Sequence, residues 1–197
     1  IEAQINVENL LNSNYFSSAY NDNNIMPGAG EMDVNTERVI EGAVTGAAAG
    51  LVASWVMSEF HEAWKAASGD RDVGDEPNTV KVADAVTEAT VGKPVPEGYR
   101  EPAGAAVHYG FGVFLGALYG AAVEVRPETS AGFGTAYGAA VSLVADEMAM
   151  PALGFSPPAS EVAASTHLRG FVSHLVFGVA LEVARRLLIA GVRAKIA

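Results

Sequence analysis

A chain of 197 residues with a formal net charge of −11 is long enough for one domain with a sizeable core and too acidic to offer nucleic acid a basic surface. Half of it is hydrophobic, but that content leans on alanine and glycine, and mean hydropathy is only +0.21. Cysteine is absent, which excludes a disulfide framework and any thiolate metal site.

The first residue is Ile1 rather than methionine, so the start reads as truncated or processed. The opening is polar and rich in asparagine, with the pattern of a short strand (Ala3 to Val7), a turn and an irregular run to Met26-Pro27-Gly28. The string from Asn6 through Asn12-Ser13-Asn14-Tyr15-Phe16, followed by Asn21-Asp22-Asn23-Asn24 and Pro27-Gly28-Ala29, resembles the near-C-terminal part of TonB-dependent outer-membrane siderophore receptors, over about residues 3–29. That family places a last barrel strand next, whereas this chain runs on through Gly30-Glu31-Met32-Asp33 into helical periodicity. A lone barrel strand has unpaired edges and cannot insert by itself. Residues 1–31 are therefore expected to be a receptor-like remnant that does not fold independently, with Met32 opening the domain that fills 32–197.

From there the chain reads as an all-α membrane protein: four transmembrane helices in a Gly/Ala-packed bundle, with spans at about 39–60, 104–124, 131–150 and 167–189. The first carries Gly42, Gly46, Gly50, Ser54 and Ser58 at every fourth position, which places them on one face. About 22 residues at 1.5 Å each suffice to cross a hydrocarbon core of about 30 Å. Trp55 and Trp64 lie toward its far end, where interfacial aromatics belong. In the loop that follows, Thr79 to Val91 forms a short amphipathic helix with Asn78 as cap, Gly92 as stop and an apolar face of Val80, Ala83, Val86 and Thr90.

The second span has the clearest stripe: Gly104, His108, Gly112, Gly116, Gly120, Glu124. In water each such glycine weakens a helix by about 1 kcal/mol relative to alanine, but in lipid it lets two backbones approach closely. The short connection Arg126-Pro127-Glu128-Thr129 turns the chain back antiparallel. The third span carries Ser130, Gly134, Gly138, Ser142 and Asp146 at fourth positions. Its Gly132-Phe133-Gly134 and Tyr137-Gly138-Ala139-Ala140-Val141 echo Gly110-Phe111-Gly112 and Tyr119-Gly120-Ala121-Ala122-Val123 of the second. Met150-Pro151 ends it. The fourth span carries Gly170, His174, Gly178, Glu182 and Arg186, and Glu182 can pair at helical spacing with Arg185 or Arg186. Bases cluster in Arg126 and the C-terminal tail, and the loop from Pro151 to Thr166 has none, so both termini are assigned to the cytoplasm.

Ionisable residues inside membrane helices are costly and are functional candidates by default. His108, Asp146, Glu147, His167, His174 and Glu182 form the candidate proton- or ion-handling set, and histidine titrates in the range such a role needs. His61 is a span-end residue whose polarity needs no further explanation. Asp146 and Glu147 stand about 100° apart around a helix, and His167 and His174 about 10.5 Å apart along one, too far for a single metal. No phosphate loop, nucleophile elbow or zinc-protease motif is present, so no cofactor and no catalytic residue is assigned. The expected partner is the lipid bilayer, with self-association through glycine faces left open.

Several strings, Thr79-Val80-Lys81-Val82-Ala83-Asp84, Pro102 through His108-Tyr109-Gly110-Phe111-Gly112, Ala145-Asp146-Glu147, Ser165-Thr166-His167 and Ser173-His174-Leu175-Val176-Phe177-Gly178, resemble the YagU-like family of bacterial inner-membrane proteins, over about residues 37–189. The resemblance implies a multi-pass inner-membrane protein, with a link to acid tolerance. The leading reading is proton or small-solute handling, or acid-stress support, through the His/carboxylate set near the outer face. The alternatives are an intramembrane metal-dependent enzyme using the same residues, or a soluble acidic helical module.

Overall fold

Glycines at every fourth residue need a partner surface that is equally bare, and the helices find it in each other. The computed structural model describes residues 36–68 and 76–196; the strand, turn and receptor-like string of residues 1–31 lie outside them. Every regular element among the described residues is helical: α1 (Thr36–Ser68), α2 (Asn78–Val91), α3 (Arg100–Val125), α4 (Thr135–Ser142), a π-helical stretch (Leu143–Ala149), α5 (Met150–Ala152) and α6 (Ala164–Ile196), with short 3-10 turns between.

α1 and α3 pack antiparallel through glycine. A Cβ built on Gly42, Gly46 or Gly50 would overlap the carbonyl oxygen of Gly120, Gly116 or Gly112, and Gly116 and Gly120 meet Gly46 and Gly42 in return. α4 and α6 do the same: Gly134 faces Gly178, and Gly138 faces the His174 backbone. Gly170 differs, since a Cβ there would touch only the Asp146 carboxylate, at 3.4 Å.

Between the two pairs the contacts are larger and more polar. The Tyr119 and Tyr137 rings meet at 4.8 Å beside a core of Ala49, Ala53, Met57, Val123, Phe177, Leu181 and Ala184. The Tyr137 hydroxyl donates to the Leu115 carbonyl at 2.8 Å. Tyr137→Phe is expected to cost about 1 kcal/mol, read as a lowered unfolding midpoint in detergent with helicity unchanged.

The third helix begins at Thr135 rather than Ala131. Gly132, Phe133 and Gly134 all adopt left-handed backbone (φ 61°, 59° and 84°), a conformation that glycine tolerates and phenylalanine rarely adopts. The echo with Gly110-Phe111-Gly112 therefore does not extend to structure, because those three lie inside α3. The difference follows from position: one triplet continues a helix, whereas the other must turn the chain after Pro127. Ser130 accordingly falls in the turn and not on the α4 stripe.

α2 lies against the start of α3, where Val80 fills the space left by Gly104. Pro77, not Asn78, occupies its cap position, and left-handed Gly92 ends it. Its buried stripe is Val80 and Ala83, while Val86 and Thr90 are exposed. Arg100 pairs with Glu76 and with Asp84, the latter at 2.9 Å. Asp84 also accepts from the Val95 N–H at 2.9 Å, and Lys81 donates to the Phe155 carbonyl at 3.2 Å.

Two helical runs, Thr36–Ser68 and Glu97–Val125, are long and apolar enough to cross a membrane. The other two expected spans fall short on that measure, one broken by the π-helical stretch with Asp146 and Glu147, the other carrying Arg169, Glu182, Arg185 and Arg186.

Candidate functional site

The six titratable candidates do not form one cluster; the helices distribute them among three places. The first is a polar seam between the helix pairs. On α3, His108 Nε2 lies 3.1 Å from the Ser54 carbonyl and 3.2 Å from Ser58 Oγ. A carbonyl can only accept, so this nitrogen carries the proton. On α6, His174 Nδ1 faces the Gly170 carbonyl at 3.0 Å and Asp146 Oδ2 at 3.1 Å, so it too is a donor. Ser142 donates to the same Asp146 oxygen at 3.4 Å.

His61 completes the seam. Ser173, fully buried, gives its hydroxyl proton to the Arg169 carbonyl at 2.7 Å. Ser173 Oγ therefore accepts from His61 Nε2, at 2.8 Å. His61 is also close enough to His108, Arg169, His174 and Asp146 to feel their charge. Sequence reasoning set this residue aside as a span end. A usable signal was present: His61 lies seven residues after Ser54, two helical turns along the same stripe.

Three imidazoles from three helices are thus each pinned through one ring nitrogen, and the other nitrogen of each has no partner among the described residues. Ser54 Oγ, 1 % exposed, is likewise without a hydrogen bond. A hydroxyl buried in that way costs about 1–3 kcal/mol unless something satisfies it.

The second place is where the start of α6 meets the π-helical stretch: His167 Nδ1 meets Glu147 Oε1 at 2.6 Å and Nε2 meets the Ala159 carbonyl at 3.0 Å. Glu147 stands on the π-helical stretch, Leu143–Ala149. This stretch presents Asp146 to His174 and Glu147 to His167, two histidines seven residues apart on α6. Such widened turns recur at functional sites.

The third place is the opposite end of the bundle. Glu182, 0 % exposed, accepts from Tyr119 OH at 2.9 Å, from Arg185 Nε and Nη2 at 2.9 and 3.1 Å, and from Arg186 Nε at 2.6 Å. Arg185 lies 4.0 Å from Glu124, which Arg38 reaches at 3.5 Å. Arg186 also covers the Phe133 ring, 4.6 Å from its centroid. With every lone pair engaged, Glu182 holds helices together and stands apart from the histidines, eight residues and about 12 Å along α6 from His174.

Among the described residues no three His, Asp or Glu side chains are grouped to hold a metal ion. No curated protein and no solved structure matches the chain. Residues 87–183, from the end of α2 through Val183 and so including His108, Asp146, His174 and Glu182 but not α1 with His61, match the model of the family described as "Protein of unknown function (DUF1440)", within which the YagU-like proteins fall.

Proposed function

We propose that this chain is an integral protein of the bacterial inner membrane, crossing it four times with both termini in the cytoplasm, and that its polar seam handles protons. The bilayer reading is supported by the inverted packing. Buried positions hold Gly46, Gly116, Ala49, Ala53, Ser54, Ser173 and Glu182, whereas Val44, Leu51, Trp55, Phe111, Phe114, Leu118, Leu143, Val179 and Leu187 face outward. Water would expel such a surface, while lipid solvates it and leaves close backbone packing to hold the helices.

The proton reading rests on the seam. An imidazole pinned as a donor at one nitrogen and open at the other can take a proton on the open side and give it back there, and at His174 the pinned side can pass its proton on to the Asp146 carboxylate. His61, His108 and His174 all have this arrangement, Asp146 supplies a carboxylate beside the third, and the Ser54 hydroxyl offers a further hydrogen-bonding group. A metal-dependent reaction has no comparable grouping of ligands behind it among the described residues.

The test is proton flux into proteoliposomes loaded with a pH-sensitive dye. Positioned proton-transfer groups are worth about 10²–10⁴ in rate. His108→Ala and Asp146→Asn should each lower flux by about a hundredfold, or to background, while the protein still inserts and keeps its helicity. Wild-type flux through both variants, or none through the unmodified protein, refutes the proton role.

A further inference from the structure

Outside the seam, α4, the π-helical stretch and α6 line a shallow, open groove of about 700 Å³. Its polarity is one-sided. Along most of its length it is walled by alanine, leucine and phenylalanine, among them Ala140, Leu143 and Phe171, and its ionisable residues, Glu147 and His167, sit beside the Ala159 carbonyl. That charged end is the end of the helices: Glu147 lies five residues before Ala152, where α5 stops, and His167 three after Ala164, where α6 starts. Leu143, Leu168 and Phe171 are exposed along the flanks, so the groove opens sideways.

The charged end is built for one particular group. Both ring nitrogens of His167 are spent on acceptors, Glu147 Oε1 at 2.6 Å and Ala159 O at 3.0 Å. With both nitrogens donating, the ring is an imidazolium that holds the carboxylate in an ion pair and has no proton left to offer a ligand. Glu147 Oε2 has no partner among the described residues. The groove thus ends in a half-buried carboxylate whose second oxygen is open to a donor, with about 10 Å of apolar slot running from it to Ala140.

We propose that the groove holds an aminophospholipid of the surrounding bilayer, its primary ammonium donating to Glu147 Oε2 and one acyl chain lying along the slot. This rests on the bilayer reading above and is independent of the proton role, since neither Glu147 nor His167 belongs to the seam. The hydrogen bond selects the headgroup. A choline head has no N–H to donate, and a glycerol head brings no positive charge to the carboxylate.

Lipid binding to the purified full chain in detergent, followed by native mass spectrometry with phosphatidylethanolamine, phosphatidylcholine and phosphatidylglycerol of identical acyl chains, tests this. A charge-assisted hydrogen bond predicts about tenfold tighter binding of phosphatidylethanolamine than of the other two. Glu147→Gln should bring the three lipids level. Ala140→Trp, which fills the slot and leaves the carboxylate untouched, should weaken phosphatidylethanolamine binding as well. Equal binding of the three lipids to the unmodified protein overturns the proposal. So does a preference that survives both substitutions, or a dimer cross-linked through Leu143 and Phe171 that excludes lipid. Carbonate washing of membranes separates the two levels. Release into buffer overturns the bilayer reading together with this one, whereas retention without headgroup preference overturns the lipid site alone.

Discussion

Gly116→Val should abolish the folded bundle, while Gly110→Val, six residues earlier on the same helix, should leave it intact. The two substitutions are identical in helix propensity and in added volume, so only their surroundings distinguish them. A Cβ at Gly116 would overlap the Gly46 carbonyl oxygen and press on the Gly50 backbone, whereas at Gly110 it would meet nothing within 4 Å. Side chains can rotate away from an intruding methyl, but helix backbone cannot. Overpacking commonly costs about 1–3 kcal/mol, and an obstacle made of backbone on both sides puts the Gly116 cost at about 3 kcal/mol or more. Valine at both positions, compared by thermal unfolding and protease resistance in detergent, decides the matter. Equal stability of the two variants would mean that α1 and α3 do not pack through glycine.

The second large effect belongs to Glu182. Removing one partner of a buried ion pair costs about 3–5 kcal/mol, because the charge left behind is uncompensated. Glu182→Ala leaves Arg185, 8 % exposed, with only Glu124 at 4.0 Å. It also removes the acceptor of the Tyr119 hydroxyl. Arg186→Ala should cost far less, since its side chain is half exposed and surface pairs are worth about 0–1 kcal/mol. The check is a double-mutant cycle on unfolding midpoints: strong coupling between Glu182 and Arg185, weak coupling between Glu182 and Arg186. The reverse order would show that the network is not buried in the protein as it exists in detergent. Neither substitution touches the histidine seam, so proton flux measured on whatever folded fraction survives should be unchanged per molecule.

The Glu147–His167 pair and the seam share the π-helical stretch, which gives that segment two tasks. Adjacent carboxylates on it serve two histidines on α6.

The helical class, the glycine stripes of α1 and α3, the stop at Gly92 and the pairing of Glu182 with an arginine one turn on could be read without coordinates, because each depends on residues within about four of one another; the start of the third helix, expected at Ala131, could not. The residues that resemble the YagU-like family could be read as well, since a string of residues needs no fold to be compared. Tertiary structure decided which stripe meets which, α1 with α3 and α4 with α6. It also divided the six candidate residues among three places, brought His61 into the seam and sent Phe133 into a left-handed turn. A four-residue period defines a face but carries no record of the face opposite. His61 and Ser173 stand 112 positions apart, and His108 and Ser54 stand 54 apart; they meet only because backbone oxygens of other residues fix how closely two helices approach. The partners of the π-helical stretch escape periodic reading for the same reason: Glu147 and His167 stand 20 positions apart, and the local pattern of Leu143 to Ala149 carries no mark of α6.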